Sequence, residues 1–87
     1  MKPFSVSILT QEKKIYEGEI VSLIAPASLG YLGVLADHIP FVSNLKAGNI
    51  ILTSDHGNAP LVFHSHGKGF LEVLNNKATL LLDSVEA

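Results

Sequence analysis

The sequence predicts an all-β fold of many short strands, an antiparallel sandwich or flattened barrel. Three observations carry that prediction. Phe4, Val6 and Ile8 alternate with Ser5 and Ser7, the period-two pattern of a strand with one buried face. No segment keeps a clean 3.6-residue period over roughly 11 residues, the least that would argue for an amphipathic helix. Turn formers also recur at close spacing, through Pro26, Gly30, Pro40, Gly48, Gly57, Pro60, Gly67 and the pair Asn75-Asn76.

Taken in order, the first strand starts at Phe4 and ends before the polar link Gln11-Glu12-Lys13-Lys14. Residues 15–25 form a second extended stretch, with a bulge or bend expected at Gly18. Its Val21, Leu23 and Ala25 fall on one face and Ile20, Ser22 and Ile24 on the other, so cover on both sides is expected for part of its length. Pro26-Ala27-Ser28-Leu29-Gly30 reads as a turn rim. Ile50 and Leu52 share a face of a strand over 49–53, and Asp55-His56-Gly57-Asn58 follows as a hairpin loop. Strands over 60–65 and 70–74 flank the loop His66-Gly67-Lys68-Gly69. Asn75-Asn76 makes a two-residue turn, because asparagine tolerates the left-handed region. Residues 77–83 close the sheet, with Leu80 and Leu82 on one face and Thr79 and Leu81 on the other.

The chain is organised around residues 30–48. Gly30 and Gly33 bracket Tyr31 and Leu32, a spacing that reads as a bent hairpin rim. Pro40 lacks an N–H and pushes Ile39 toward extended geometry, so Asp37-His38-Ile39-Pro40 is a corner and not helix interior. Phe41, Val42 and Leu45 form a short apolar run, closed by the turn Lys46-Ala47-Gly48.

Composition narrows the function. With 87 residues the chain is a single domain over 1–87, and 47% hydrophobic content sets it apart from disordered sequences. Without cysteine there is no disulfide framework and no thiolate metal site. No signal-peptide pattern opens the chain, and no apolar run approaches the length of a membrane-spanning helix. A formal charge of −2, with six lysines dispersed and no arginine, argues against nucleic-acid partners.

Candidate chemistry is sparse. His64 and His66 share a strand face, and with Glu72 they approximate the His-x-His…Glu metal motif of small cupin-like barrels. The segment that would bring a further ligand is missing, and two histidines on a solvated face is the plainer reading. Asp37-His38 cannot be a catalytic dyad if extended, because neighbouring side chains then point apart. Gly67-Lys68 lacks the rest of a phosphate loop and any following helix. The expectation is no catalytic residue, no metal and no cofactor.

Gly30-x-x-Gly33-Val34-Leu35, Asp37-His38-x-Pro40-Phe41 and Leu45-x-x-Gly48 together resemble the hallmark segment of the epsilon subunit of rotary (F-type) ATP synthases. The resemblance extends from Phe4-x-Val6-x-Ile8-Leu9-Thr10 and Tyr16-Glu17-Gly18 to Gly69-Phe70-Leu71-Glu72-Val73 and Asn76-Lys77-Ala78-Thr79-Leu80. It implies a two-sheet β-sandwich of about ten short strands. It also implies a non-catalytic rotor subunit of the central stalk, peripheral to the cytoplasmic face of a bacterial inner membrane and coupling ion transport to ATP synthesis.

In that family the loop matching Ala27, Ser28, Leu29, Gly30, Tyr31 and Leu32 faces the c-subunit ring, and positions matching His38, Phe41, Val42 and Ser43 lie toward the gamma subunit. The residues alone leave two readings of the first loop: a rim folded inward, or an exposed apolar tip of the kind that marks a partner site. A carboxylate is common in the family where this chain has Tyr31, which weakens a salt-bridge account of the contact. Family members commonly continue into a two-helix domain that can restrain rotation. This chain stops at Ala87, so a helix-less subunit that binds no nucleotide and does not restrain its enzyme is expected. The loop 66–69 is longer than the family's usual Gly-Gly link.

Overall fold

The structure is a computed structural model and describes residues 1–55 and 57–87. His56, assigned above to a hairpin loop, lies outside the described residues. Among the described residues ten strands form: β1 (Phe4–Thr10), β2 (Lys14–Ile20), β3 (Ser22–Ala27), β4 (Gly30–Val34), β5 (Phe41–Leu45), β6 (Gly48–Thr53), β7 (Leu61–Ser65), β8 (Gly69–Leu74), β9 (Lys77–Leu82) and β10 (Val85–Glu86). They make one continuous hydrogen-bonded sheet in the order β10-β7-β6-β3-β5-β8-β9-β1-β2, with β4 on the other edge of β3.

The sheet curls until its ends approach, and the rings of Tyr16 on β2 and Phe63 on β7 lie 5.6 Å apart. Curling turns one side chain in every two inward. Val6, Ile8, Leu23, Ala25, Ile50, Leu71, Ala78 and Leu80 are wholly inaccessible to solvent and line that interior. The inward faces predicted for β1, β6 and β9 are the ones observed, although Ser7 on the opposite face of β1 is buried as well.

Three details differ from the sequence reading. Pairing is antiparallel except between β1 and β9, which run parallel with Ile8 opposite Leu80. No bend occurs at Gly18, which pairs in register with Val6; the register shifts instead between Ile8 and Leu9, where Ile15 of β2 is the extra residue between the partners Tyr16 and Lys14. The long second stretch instead breaks at Val21, whose N–H donates to Thr53 O at 2.8 Å. Ile20 and Val21 are therefore both buried, although they are neighbours. Past that break β3 pairs with β6 through Ser22–Ile24, with β4 along Leu23–Ala27, and with β5 at Ala27↔Leu45. That last pairing joins the two halves of the sandwich. Ala25, Pro26 and Ala27 are all buried there, so the strand includes Pro26 and Ala27, which the sequence reading gave to the turn rim. Of the second face expected to be covered, Ile20 is buried, Ser22 half-buried and Ile24 exposed.

Candidate functional site

The hairpin between β3 and β4 turns on two residues, Ser28 and Leu29. Gly30 follows at φ 136°, a conformation that side chains rarely adopt, which is why a glycine closes this turn. Three backbone N–H groups tie the hairpin to its neighbours, and the Ser28 hydroxyl adds a bond to Asn44 O at 3.4 Å. Ser28 N–H donates to Asn44 O at 3.3 Å, Lys46 N–H to Pro26 O at 2.9 Å, and Asn49 N–H to the Tyr31 hydroxyl at 3.2 Å. Leu32 turns inward against the core, while Leu29 is fully exposed at the tip and Tyr31 is 58% exposed. Ala27 is buried. The loop is thus braced, with one apolar side chain standing free.

Gly33 lies within β4 opposite Ile24, without a positive φ, so the bent rim expected across Gly30–Gly33 reduces to Gly30 alone. Gly48 starts β6 where a Cβ would stand 2.8 Å from the Pro26 Cβ, a close approach only glycine allows. Pro40 precedes β5, outside any ladder.

The second residue set lies at the far end of β5. His38 is exposed, its Nδ1–H donates to Ile39 O at 2.8 Å, and its ring packs on Phe41 with centroids 4.7 Å apart. Phe41 leans on the core, Val42 is 60% exposed, and Ser43 Oγ–H donates to Asn44 O at 3.0 Å. β5 therefore runs from the His38 corner to the Leu29 hairpin. Ser43 belongs to both neighbourhoods, because it lines an open depression of about 460 Å³ with residues 27–32 and Asn44.

Asp37 is not extended, as the sequence reading supposed, but left-handed at φ 63°. Its carboxylate accepts from Lys2 Nζ at 2.8 Å and from Asn76 Nδ2 at 3.0 Å, and it makes no bond to His38. The Lys2 bond, then the Asn76 bond, holds the Asp37 carboxyl below the usual range. Being exposed, the Lys2–Asp37 pair adds little stability by itself. Glu17 is likewise lowered, first by its bond to Lys14.

The metal alternative does not assemble. His64 donates from Nδ1–H to Asn49 Oδ1 at 2.7 Å, and His66 from Nε2–H to Glu86 Oε1 at 2.9 Å. Glu72 stands on β8, between Val42 and Thr79, with three strands between it and β7 in the sheet. Among the described residues no three His, Cys, Asp or Glu side chains converge on a common point.

Sequence reasoning missed Asn76, Asn49 and Glu86 as partners. Asn75-Asn76 was legible as a turn, but its bond to Asp37 spans 39 positions and carries no local signal.

Residues 3–87 match the family model described as the ATP synthase Delta/Epsilon chain, beta-sandwich domain. The chain is 37% identical over 81 residues to the ATP synthase epsilon chain of Dichelobacter nodosus, covering 93% of this chain and 55% of the relative. It is 33% identical over 85 residues to that of Protochlamydia amoebophila, covering 97% and 56%. The chain thus spans little more than half the length of these relatives. In solved structures, a chain of the Euglena gracilis mitochondrial ATP synthase superposes with a TM-score of 0.84 at 18% identity, over 93% of this chain and 51% of that one. A chain of the Tetrahymena thermophila mitochondrial ATP synthase central stalk and c-ring gives 0.76 at 16%, over 94% and 64%. At those identities the likeness is one of fold.

Proposed function

Since the chain belongs to the ATP synthase delta/epsilon family, whose β-sandwich domain it carries, we propose that it is a non-catalytic rotor component of the central stalk. It seats gamma against the c-subunit ring on the cytoplasmic face of a bacterial inner membrane, so that ring rotation reaches the catalytic head without slip. The ring contact is the hairpin 27–32, and gamma lies along His38, Phe41, Val42 and Ser43. Neither nucleotide nor cofactor takes part.

The observation that carries this reading is the tip of the first hairpin. A leucine wholly exposed on a braced two-residue turn gains no stability for the sandwich, yet fits an interface that must bear load. With no arginine and no carboxylate in residues 27–32, the contact rests on packing and backbone hydrogen bonds, and salt should weaken it little. β5, which links the two residue sets, gives a short stiff path between two partners.

The test is co-expression with gamma and the ring subunit from the same source. The reading expects a stoichiometric complex with gamma that retains the ring in high salt. A chain recovered alone under gentle extraction overturns it.

A further inference from the structure

The segment between β4 and β5 belongs to no strand, so side-chain bonds must shape it. Asp37 sits there in the left-handed region at φ 63°. Asn75 and Asn76, at 52° and 59°, make the turn between β8 and β9. The two features are joined reciprocally. Asp37 N–H donates to Asn76 Oδ1 at 2.6 Å, and Asn76 Nδ2 donates back to Asp37 Oδ1 at 3.0 Å. Lys2 Nζ donates to the same carboxylate oxygen at 2.8 Å, so three distant parts of the chain meet at one carboxylate. Beyond this clasp His38 folds back onto Ile39 O and Phe41, leaving Ile39 outward at 73% exposure.

We propose that Asp37 and Asn76 are positioning residues for gamma binding, and that their clasp presents Ile39 as an apolar anchor of the docked corner. This rests on the reading above in which the residues beside Ile39 face gamma. A branched apolar side chain on a strandless corner contributes to binding only if the corner is ordered beforehand, since ordering it on docking offsets the gain. If opening the clasp leaves the docking shape populated about a tenth of the time, apparent affinity falls about tenfold. Most of that change appears in the association rate, because docking then waits for the corner to form.

The experiment titrates gamma from the same source with four forms of the chain. Asn76→Asp sets a second carboxylate against Asp37 and removes the amide donor. Asn76→Gly keeps the left-handed turn and removes the side chain without adding charge. The double variant Asp37→Asn, Asn76→Asp restores the clasp with reversed polarity, the amide at position 37 donating to the carboxylate at position 76. The expected result is association about tenfold slower for both single variants and recovery in the double variant. Amide exchange at His38, Ile39 and Phe41 should rise and return in parallel, while Leu71 and Leu80 in the core stay protected. Equal association by all forms overturns the positioning role while leaving gamma binding intact. Unchanged exchange at the corner, or loss not recovered by the double variant, overturns it as well. Failure of the unmodified chain to bind gamma removes the gamma assignment and this inference together.

Discussion

The hydroxyl of Tyr31 accepts a hydrogen bond from the backbone N–H of Asn49 at 3.2 Å, tying the β3–β4 hairpin to the start of β6. Tyr31 also pairs with Pro26 across the hairpin, and Pro26 is buried. Tyr31 is therefore partly a brace, unlike Leu29, whose side chain stands free. The two residues must be tested separately. Tyr31→Phe keeps the ring and leaves one N–H without its protein partner, an expected cost of about 0.5–1.5 kcal/mol in chemical denaturation.

Gly48 is where this brace leaves no room. A Cβ there would meet Pro26 Cβ at 2.8 Å and the Tyr31 oxygen at 2.9 Å. Gly48→Ala is expected to destabilise the sandwich by about 1–3 kcal/mol, because overpacking forces its neighbours off their places. Thermal unfolding checks this, at about 4–8 °C per kcal/mol for a domain of this size. Gly33→Ala is the control, since a Cβ there meets only Leu23 O at 4.0 Å. Equal melting of both variants would contradict the crowding account.

Asp37 and Glu17 give an acid limb. Both carboxyls are lowered in the fold, Asp37 by Lys2 and then Asn76, Glu17 chiefly by Lys14. A lowered folded pKa contributes stability that is present above the unfolded value and lost as pH falls through the folded one. For Asp37 the loss should therefore begin near its ordinary 3.8 and continue below it. Unfolding free energy measured from pH 5 to about 2 should fall in the native chain and fall less steeply in Asp37→Asn. Identical slopes would mean the pair is not formed in solution.

What the sequence disclosed and what it hid follow from range. Strand alternation is local, so the buried faces of β1, β6 and β9 could be read directly from Phe4-x-Val6-x-Ile8, Ile50-x-Leu52 and Leu80-x-Leu82. The Asn75-Asn76 turn is equally local. The break at Val21 was hidden because Ile20 and Val21 are both apolar, and periodicity cannot distinguish a strand changing partners from one covered twice. β10 is two residues long, too short to show any period. The parallel β1–β9 pairing and the Asp37–Asn76 clasp join residues far apart in sequence. Of the candidate site, the apolar character of Leu29 could be read, but its exposure could not. That is set by tertiary placement, with Ala27 at the base of the hairpin paired to Leu45 of β5.

Leu80 tests the interior itself. It is fully buried on β9, paired with Ile8 on one side and Leu71 on the other. Leu80→Ala should cost about 2–5 kcal/mol, a large part of the stability of so small a domain. Its neighbour Leu81, half exposed on the outer face, should tolerate alanine within about 1 kcal/mol. Comparable losses at both positions would argue against the sidedness of β9.

Leu29 separates docking from folding. Its side chain is fully exposed, so Leu29→Ser removes no buried area and should leave stability within about 0.5 kcal/mol. The bonds from Ser28 N–H, Lys46 N–H and Asn49 N–H that brace the hairpin do not involve its side chain. His38 and Phe41 lie at the other end of β5 from the tip, so gamma binding through that corner should survive as well. What should be lost is grip on the ring, since the serine no longer offers the apolar surface that Leu29 would bury on docking. In membranes reconstituted with the variant, ATP hydrolysis should continue while ion pumping falls. Tyr31→Phe, which keeps the apolar ring, should pump nearly as the native chain does. Normal pumping by Leu29→Ser, in a complex that still contains this chain and gamma, would show that the hairpin tip is not the ring contact.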